Sequence, residues 1–345
     1  MAAKTQILVL GATGGSIVIE LLKAKDHPYI LSALVRRPEQ VDKLKDVGVK
    51  SILFKGLDDV DAIRNAAKDH DIIIAAASAR NANSAKACLE GLAERKRNHG
   101  KEVHYIHISG TSMIGDWPET GERIDTSIHS DIDEDIYVTE RDHAESHSPV
   151  RAVDQLVVNT GEKENVKTYI IPGPLIWLFT EGFGQVHMMV QLALKKRHAV
   201  HIGSGSGIWN RVHILDLTKL FSLIVNNIIS NKEIPSGKTG YYFAENGFQT
   251  WHSIAAGIGW TGYEIGVIDT PAVANISLEE VADEFFGGDT RDAEGVLASN
   301  SRTKADRARQ VLGWKPTYGD EAWIQEIKEV VTTMSKESGK DHSFR

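Results

Sequence analysis

Near the start of the chain, Gly11-Ala12-Thr13-Gly14-Gly15-Ser16-Ile17 separates an apolar run, residues 7–10, from an amphipathic stretch over residues 17–25. Glycine at such a junction allows a tight turn. It also lets backbone N–H groups approach an anion at the positive end of the following helix. A pyrophosphate suits this arrangement, so Gly11, Thr13, Gly14, Gly15, Ser16 and Ile17 are the candidate phosphate-contacting residues. Ile17 stands where a G-x-x-G-x-x-G pattern would have its third glycine, so helix–strand packing must differ there. The next apolar run ends Leu34-Val35-Arg36-Arg37. A carboxylate at that place would accept ribose hydroxyls, whereas the guanidiniums of Arg36 and Arg37 suit a 2′-phosphate through forked, charge-assisted bonds. The implied cofactor is NADP, with NADPH preferred over NADH. Asp58 or Asp59 is placed to face the adenine edge, and Ala76, Ala77 and Ser78 are small, as a strand end crossed by a cofactor requires.

The elements that must carry these residues alternate. Strands are expected at residues 7–10, 30–35, 51–54, 72–77 and 103–108, with helices over 17–25, 38–47, 60–68 and 82–99. Five βα alternations in about 110 residues predict an α/β fold, a Rossmann-type doubly wound parallel sheet with helices on both faces. Residues 116–148 are polar and acidic and read as a functional or a disordered loop. Helical periodicity resumes over 152–160, and 167–171 is strand-like before Pro172-Gly173-Pro174. Residues 212–215, followed by a helix over 217–230, read as a return to the sheet.

Composition excludes several function classes. The 345 residues carry 39 Lys and Arg against 47 Asp and Glu, a net charge of −8, and no long basic block. Nucleic acid, whose phosphates need neutralising, is therefore not an expected partner. Cys88 is the single cysteine, which rules out an internal disulfide and any cysteine-based metal cluster. No apolar run approaches the roughly 18 residues of a membrane span. The opening MAAKTQILVL lacks the features of a secretory signal, so a cytoplasmic protein without membrane attachment is expected.

The chain resembles the atypical and extended short-chain dehydrogenase/reductase superfamily, in its NAD-dependent epimerase/dehydratase-like and NmrA-like branches. The resemblance lies in Gly11-Ala12-Thr13-Gly14, Val35-Arg36, the segment Ile106 to Ser112, Pro172-Gly173-Pro174, the segment Val212 to Asp216 and the ending Leu312-Gly313-Trp314-Lys315-Pro316. It implies a Rossmann domain over 1–174 plus 211–240, and a smaller, discontinuous substrate-binding lobe over 175–210 plus 241–345. It places Thr111, with Ser112 as the near alternative, where a hydroxyl binds the substrate oxygen, and Pro172 beside the cofactor. It also implies a Tyr-x-x-x-Lys pair, which this chain lacks. Counting back from Asp154 puts Ser146 and Val150 at those places. Two substitutes are visible: His147 with Arg151, four apart, and Tyr137 in the acidic loop. Pro149 between the first two is tolerable only in a first helical turn.

Trp177, Phe179, Phe183 and Trp209 fall in the segments that, by the resemblance, build the substrate lobe, and they suggest a pocket for an apolar or aromatic carbonyl compound. Asp142, His143, Glu145 and His147 have metal-like spacing but no helical periodicity, and no metal is expected. His213 and Asp216 read as a strand–helix junction. The expected function is an NADPH-dependent oxidoreductase of carbonyl or enone reductase type. The alternatives are an epimerase, dehydratase or lyase with retained NAD(P), and a non-catalytic NADP-binding regulator of NmrA-like type. Thr111 and the developed C-terminal lobe favour an enzyme, and the missing pair favours the regulator. The oligomeric state is left open, a homodimer included.

Overall fold

The computed structural model describes residues 4–24, 27–133, 135–142, 148–177 and 184–341, without the side chains of 12–14 and 338–341. Strands β1 (Thr5–Leu10), β2 (Tyr29–Val35), β3 (Lys50–Leu53), β4 (Ile72–Ala75) and β5 (His104–Gly110) alternate with helices α1 (Ala12–Leu22), α2 (Pro38–Asp46), α3 (Val60–Ala67) and α4 (Ala82–His99). A 3-10 turn (Thr111–Ile114), β6 (His129–Ser130), α5 (Ile136–Asp142), α6 (Pro149–Glu164) and β7 (Lys167–Gly173) follow. The main sheet is six-stranded and parallel in the order β3-β2-β1-β4-β5-β7. Its central runs, Ile7–Leu10 and Ile72–Ile74, are buried throughout, as strands covered by helices on both faces must be. Helices α3, α4 and α6 pack side by side, and α1 packs on α8 (Ile214–Ile229). The reversal of strand order between β1 and β4 leaves a crevice at their carboxyl ends, where doubly wound sheets bind ligands.

The rest of the chain comprises β8 (Leu175–Trp177), α7 (Gln185–Lys196), β9 (Ala199–Ile202), β10 (Ile208–His213), β11 (Phe248–Thr250), α9 (Trp251–Glu264), β12 (Val273–Ile276), α10 (Leu278–Phe285), α11 (Thr290–Leu297), β13 (Thr303–Lys304), α12 (Asp306–Leu312) and α13 (Asp320–Asp341). The expected return of residues 212–215 to the main sheet does not occur. β10 pairs with β8 and β11 in a separate three-stranded sheet. The outer edge of β7 is instead covered by residues 240–242, through Ile170 N–H to the Gly240 carbonyl (2.8 Å) and Tyr242 N–H to the Ile170 carbonyl (2.9 Å).

Buried apolar residues form two clusters, one within the parallel sheet and its helices, the other joining β8, α7, β9, α9, α11 and α13. Tyr241–Ala244 and Ala305, Ala308, Leu312 and Trp314 pack in the first cluster, although the sequence reading put 241–345 with the substrate lobe. The Asp216 carboxylate explains part of this. It accepts from the backbone N–H groups of Thr317 (2.8 Å) and Tyr318 (2.9 Å), tying the ending to the start of α8. His213 stacks on Tyr318 at 3.7 Å between ring centroids and caps Leu215 N–H, so both residues act at this junction.

Candidate functional site

The phosphate mouth is built by one contact. A Cβ on Gly11 would lie 2.3 Å from Ala77 Cα and 2.4 Å from the Ala76 carbonyl, and Gly11 itself has φ +107°. Only glycine permits both the conformation and the approach. The ends of β1 and β4 are thereby pressed together, with Ala76 N–H donating to the Leu10 carbonyl at 2.8 Å. The helix then starts at Ala12, five residues earlier than periodicity suggests. Its first turn has no side-chain cap and no acidic residue. Uncapped N–H groups at a helix N-terminus are an anion site. Gly15 is exposed, with nothing within 4 Å of the place a Cβ would take, and Ser16 is half-buried. Ile17 is fully buried in the first cluster, so its side chain serves the core and not the mouth. The Thr13 and Gly14 positions are in the first turn of α1.

At the end of β2, the backbone N–H groups of Arg36 and Arg37 both donate to Gln40 Oε1, which fixes the start of α2. Both guanidiniums are exposed and make no ion pair among the described residues. Asp58 is exposed and 3.5 Å from Asn81 Nδ2. Ala76 is buried, Ala77 exposed, and Ser78 Oγ accepts from Arg80 N–H at 3.1 Å. These residues stand beyond the carboxyl ends of β1, β2, β3 and β4, the side on which doubly wound sheets bind ligands.

A second cleft, of about 200 Å³, opens at the carboxyl ends of β5 and β7. Gly110, Thr111, Ser112, Trp117, Gly173 and Trp209 are in its wall, together with Arg80 and Arg291. Thr111 is fully buried, and its hydroxyl has no hydrogen-bond partner among the described residues. Two guanidinium groups lie over the Trp117 ring, Arg151 at 5.8 Å and Arg291 at 5.2 Å from its centroid. Its indole N–H also lacks a partner among the described residues. The Trp209 indole donates to the Ser299 carbonyl at 3.0 Å. Asp116 bolts the segment to the second half of the chain, accepting from Asn300 N–H at 2.7 Å.

Other expected site residues lie elsewhere. Tyr137 is buried and donates its hydroxyl to Asn159 at 2.7 Å, with the Lys238 ammonium 5.2 Å from its ring. It does not line the cleft. Arg151 is buried behind the cleft wall. Its Nε donates to the Met113 carbonyl and its Nη2 to the Gly115 carbonyl, so it braces backbone instead of facing a ribose. Burial, aided by Arg123, pulls its pKa down to about 10. Pro149 does occupy the first turn of α6, which Ser148 caps. Trp177 packs edge-on against Trp323 and His213 inside the second cluster, away from the cleft. Pro172 is buried in β7, paired with Ser109. His143, Glu145, His147, Phe179 and Phe183 lie outside the described residues. No metal-binding group occurs among the described residues, and no helix among them is long and apolar enough to cross a membrane.

Sequence reasoning missed Trp117, Arg291 and the buried carboxyl pair of Glu140 and Asp154. Trp117, an aromatic two residues beyond Gly115 in an otherwise polar loop, was the one available signal. Asp154 is fully buried and accepts from the Ser109 hydroxyl. Glu140 accepts from the Tyr241 hydroxyl at 2.6 Å and from Gln155 Nε2 at 3.3 Å. Burial pushes Glu140 up to about 7, and burial with the neighbouring Glu140 charge holds Asp154 well above the usual carboxylate range.

Residues 10–146 match the family model described as NAD(P)H-binding. An oxidase of Acremonium sp., ucsJ, is 28% identical over 363 aligned residues, covering 97% of this chain and 98% of the relative. The structure of the dTDP-glucose 4,6-dehydratase DesIV from Streptomyces venezuelae, solved with NAD bound, superposes with TM-score 0.66 at 13% identity, covering 97% of this chain and 98% of the other. A UDP-glucose 4-epimerase from Thermotoga maritima gives TM-score 0.61 at 14% identity, covering 96% and 99%.

Proposed function

We propose, starting from a chain whose residues 10–146 match an NAD(P)H-binding family model and whose fold is shared with NAD-dependent epimerases and dehydratases, that it is an NADPH-dependent oxidoreductase. Its substrate is an apolar or aromatic small molecule with a carbonyl or an enone. The observation that carries this reading is the buried, unpartnered Thr111 hydroxyl in the wall of a cleft that Trp117 and Trp209 also line. A donor held there, out of water, stabilises the negative charge that develops on a carbonyl oxygen. One such donor is worth roughly 10²–10³ in rate.

The nicotinamide, when bound, supplies or accepts the hydride. The N–H groups of the α1 N-terminus hold the phosphates, and Arg36 and Arg37 hold the 2′-phosphate. Ser112 stands beside Thr111 in the cleft wall. With Tyr137 and Arg151 engaged elsewhere, the proton comes from His147 or from water. The cleft is smaller than the roughly 300–1,000 Å³ of sites for drug-sized ligands, which favours a compact substrate over a nucleotide sugar.

The second reading, an epimerase or dehydratase that regenerates its own cofactor, is favoured by the chain-wide likeness to DesIV. The test is calorimetric titration with NADPH and NADH, followed by NADPH oxidation with phenanthrenequinone and nitrobenzaldehyde. Steady oxidation supports the first reading. Altered product without net oxidation moves the assignment to the second. Tight binding with no turnover of either kind would overturn both in favour of a regulator.

A further inference from the structure

Asp154 and Arg151 lie three residues apart on one face of α6. Both are buried, and both reach the segment that follows β5. Asp154 receives the Ser109 hydroxyl, and Arg151 donates to the carbonyls of Met113 and Gly115. The two contacts bracket Thr111, holding the chain two residues before it and two to four residues after it. From the opposite side, Ser301 Oγ donates to the Thr111 carbonyl at 2.9 Å. The backbone that carries the candidate oxyanion donor is thus gripped on three sides.

Burial and the nearby Glu140 charge favour the protonated form of the carboxyl that makes this grip. Glu140 on α5 is close enough for its charge to raise the Asp154 pKa, and the Asp154 Oδ1 and Glu140 Oε1 atoms lack a donor among the described residues. A proton shared between the two carboxyls would supply one. From β5, His107 Nε2 lies 3.6 Å from Asp154 Oδ1, and the Tyr105 hydroxyl lies 3.3 Å from His107 Nδ1. Tyr241 faces Glu140 from the other side. A neutral Asp154 accepts from Ser109 and donates to Glu140, which an asparagine in its place would also do.

We infer that Asp154 and Arg151 are positioning residues, which set Thr111 by clamping residues 109–115 onto α6. The inference rests on the assignment of Thr111 as the oxyanion donor. Buried polar groups cost stability unless fully paired, so an apolar helix face would pack here at least as well. What the polar face adds is a fixed backbone, and a misplacement of about 1 Å at a reacting centre costs on the order of 10² in rate.

The experiment compares wild type, Ser109→Ala, Asp154→Asn and Asp154→Ala as full chains with NADPH added. Amide hydrogen exchange is read across residues 108–116, and kcat and KM are read with phenanthrenequinone. In Ser109→Ala, exchange over 110–115 should rise tenfold or more while the sheet strands stay protected. In the same variant kcat should fall about tenfold, with KM changed less than twofold. Asp154→Asn should keep both near wild type, and Asp154→Ala should match or exceed the Ser109→Ala loss. Unchanged exchange over 110–115 in Ser109→Ala overturns the clamp, as does a rise spread equally over the whole chain. An Asp154→Asn variant as impaired as Asp154→Ala overturns the neutral-acceptor account. If wild type does not turn over the quinone, the redox reading fails, and the exchange comparison still decides the clamp.

Discussion

The candidate phosphate mouth and the candidate substrate cleft are built differently. At the phosphate mouth, one glycine and the first turn of the helix after it do the work. Gly11 is pressed on Ala76 and Ala77, and the turn that follows is left uncapped. At the substrate cleft, the wall is assembled from the turn after β5, the loop at Trp117, β10 and α11, with Asn300 and Ser301 bolting the pieces together. The first rests on a single backbone approach between the ends of two neighbouring strands. The second depends on contacts between residues more than 180 positions apart.

The sharpest way to break this contrast is at the mouth. Gly11→Val should lower NAD(P)H affinity at least 100-fold, because no side chain fits at 2.3 Å from Ala77 Cα. Fluorescence titration reads this, and retained affinity would mean that the phosphates bind elsewhere. Next, Thr111→Val should lower kcat on a responsive quinone or aldehyde about 100-fold. NADPH affinity should stay within twofold, since the residue serves the other end. A joint loss of binding and rate would merge the two regions into one site. Third, replacing Arg36 and Arg37 together with alanine should weaken NADPH about tenfold or more and leave NADH unchanged, a charge-assisted contact being worth about 1.5–3 kcal/mol. Equal loss of both dinucleotides removes the assigned 2′-phosphate site.

The smallest effect is in the pH dependence of stability. Glu140 is raised from 4.5 to about 7 in the fold. Its contribution is complete below the unfolded value and is lost as pH rises through 7. His104, His107 and His213 are pulled down by burial to about 4 from 6.5, so their contribution is complete above 6.5 and is lost as pH falls toward 4. The two trends oppose each other between pH 4.5 and 6.5. Glu140→Gln should therefore gain in melting temperature relative to wild type as pH rises from 4.5 through 7. A difference that does not vary with pH would show that Glu140 does not titrate there.

Much of the first region was legible in the sequence. Continuous apolar runs ended by glycine or arginine announced parallel strands, and the glycine-rich turn announced the tight strand-to-helix junction at Gly11. Less of the second region could be read. Trp209 was anticipated in the cleft wall, while Trp177, equally apolar, packs on Trp323 in the core. Both indoles look alike to any reading of hydrophobicity, and only their neighbours separate them. Arg151 was read as the catalytic partner of His147 because the two are four residues apart. The helix does begin where Pro149 requires, but it turns Arg151 toward the Met113 and Gly115 carbonyls.

The amino-acid order alone determined the alternation of strands and helices, the abrupt turn at Gly11 and the cationic end of β2, because each follows from a handful of adjacent residues and their backbone preferences. Tertiary structure decided which aromatic rings face the cleft, which buried carboxyl holds the Thr111 segment, and what covers the edge of β7. Those outcomes depend on which distant groups exclude water from one another, and that is a property of the packed chain that no short stretch of it contains.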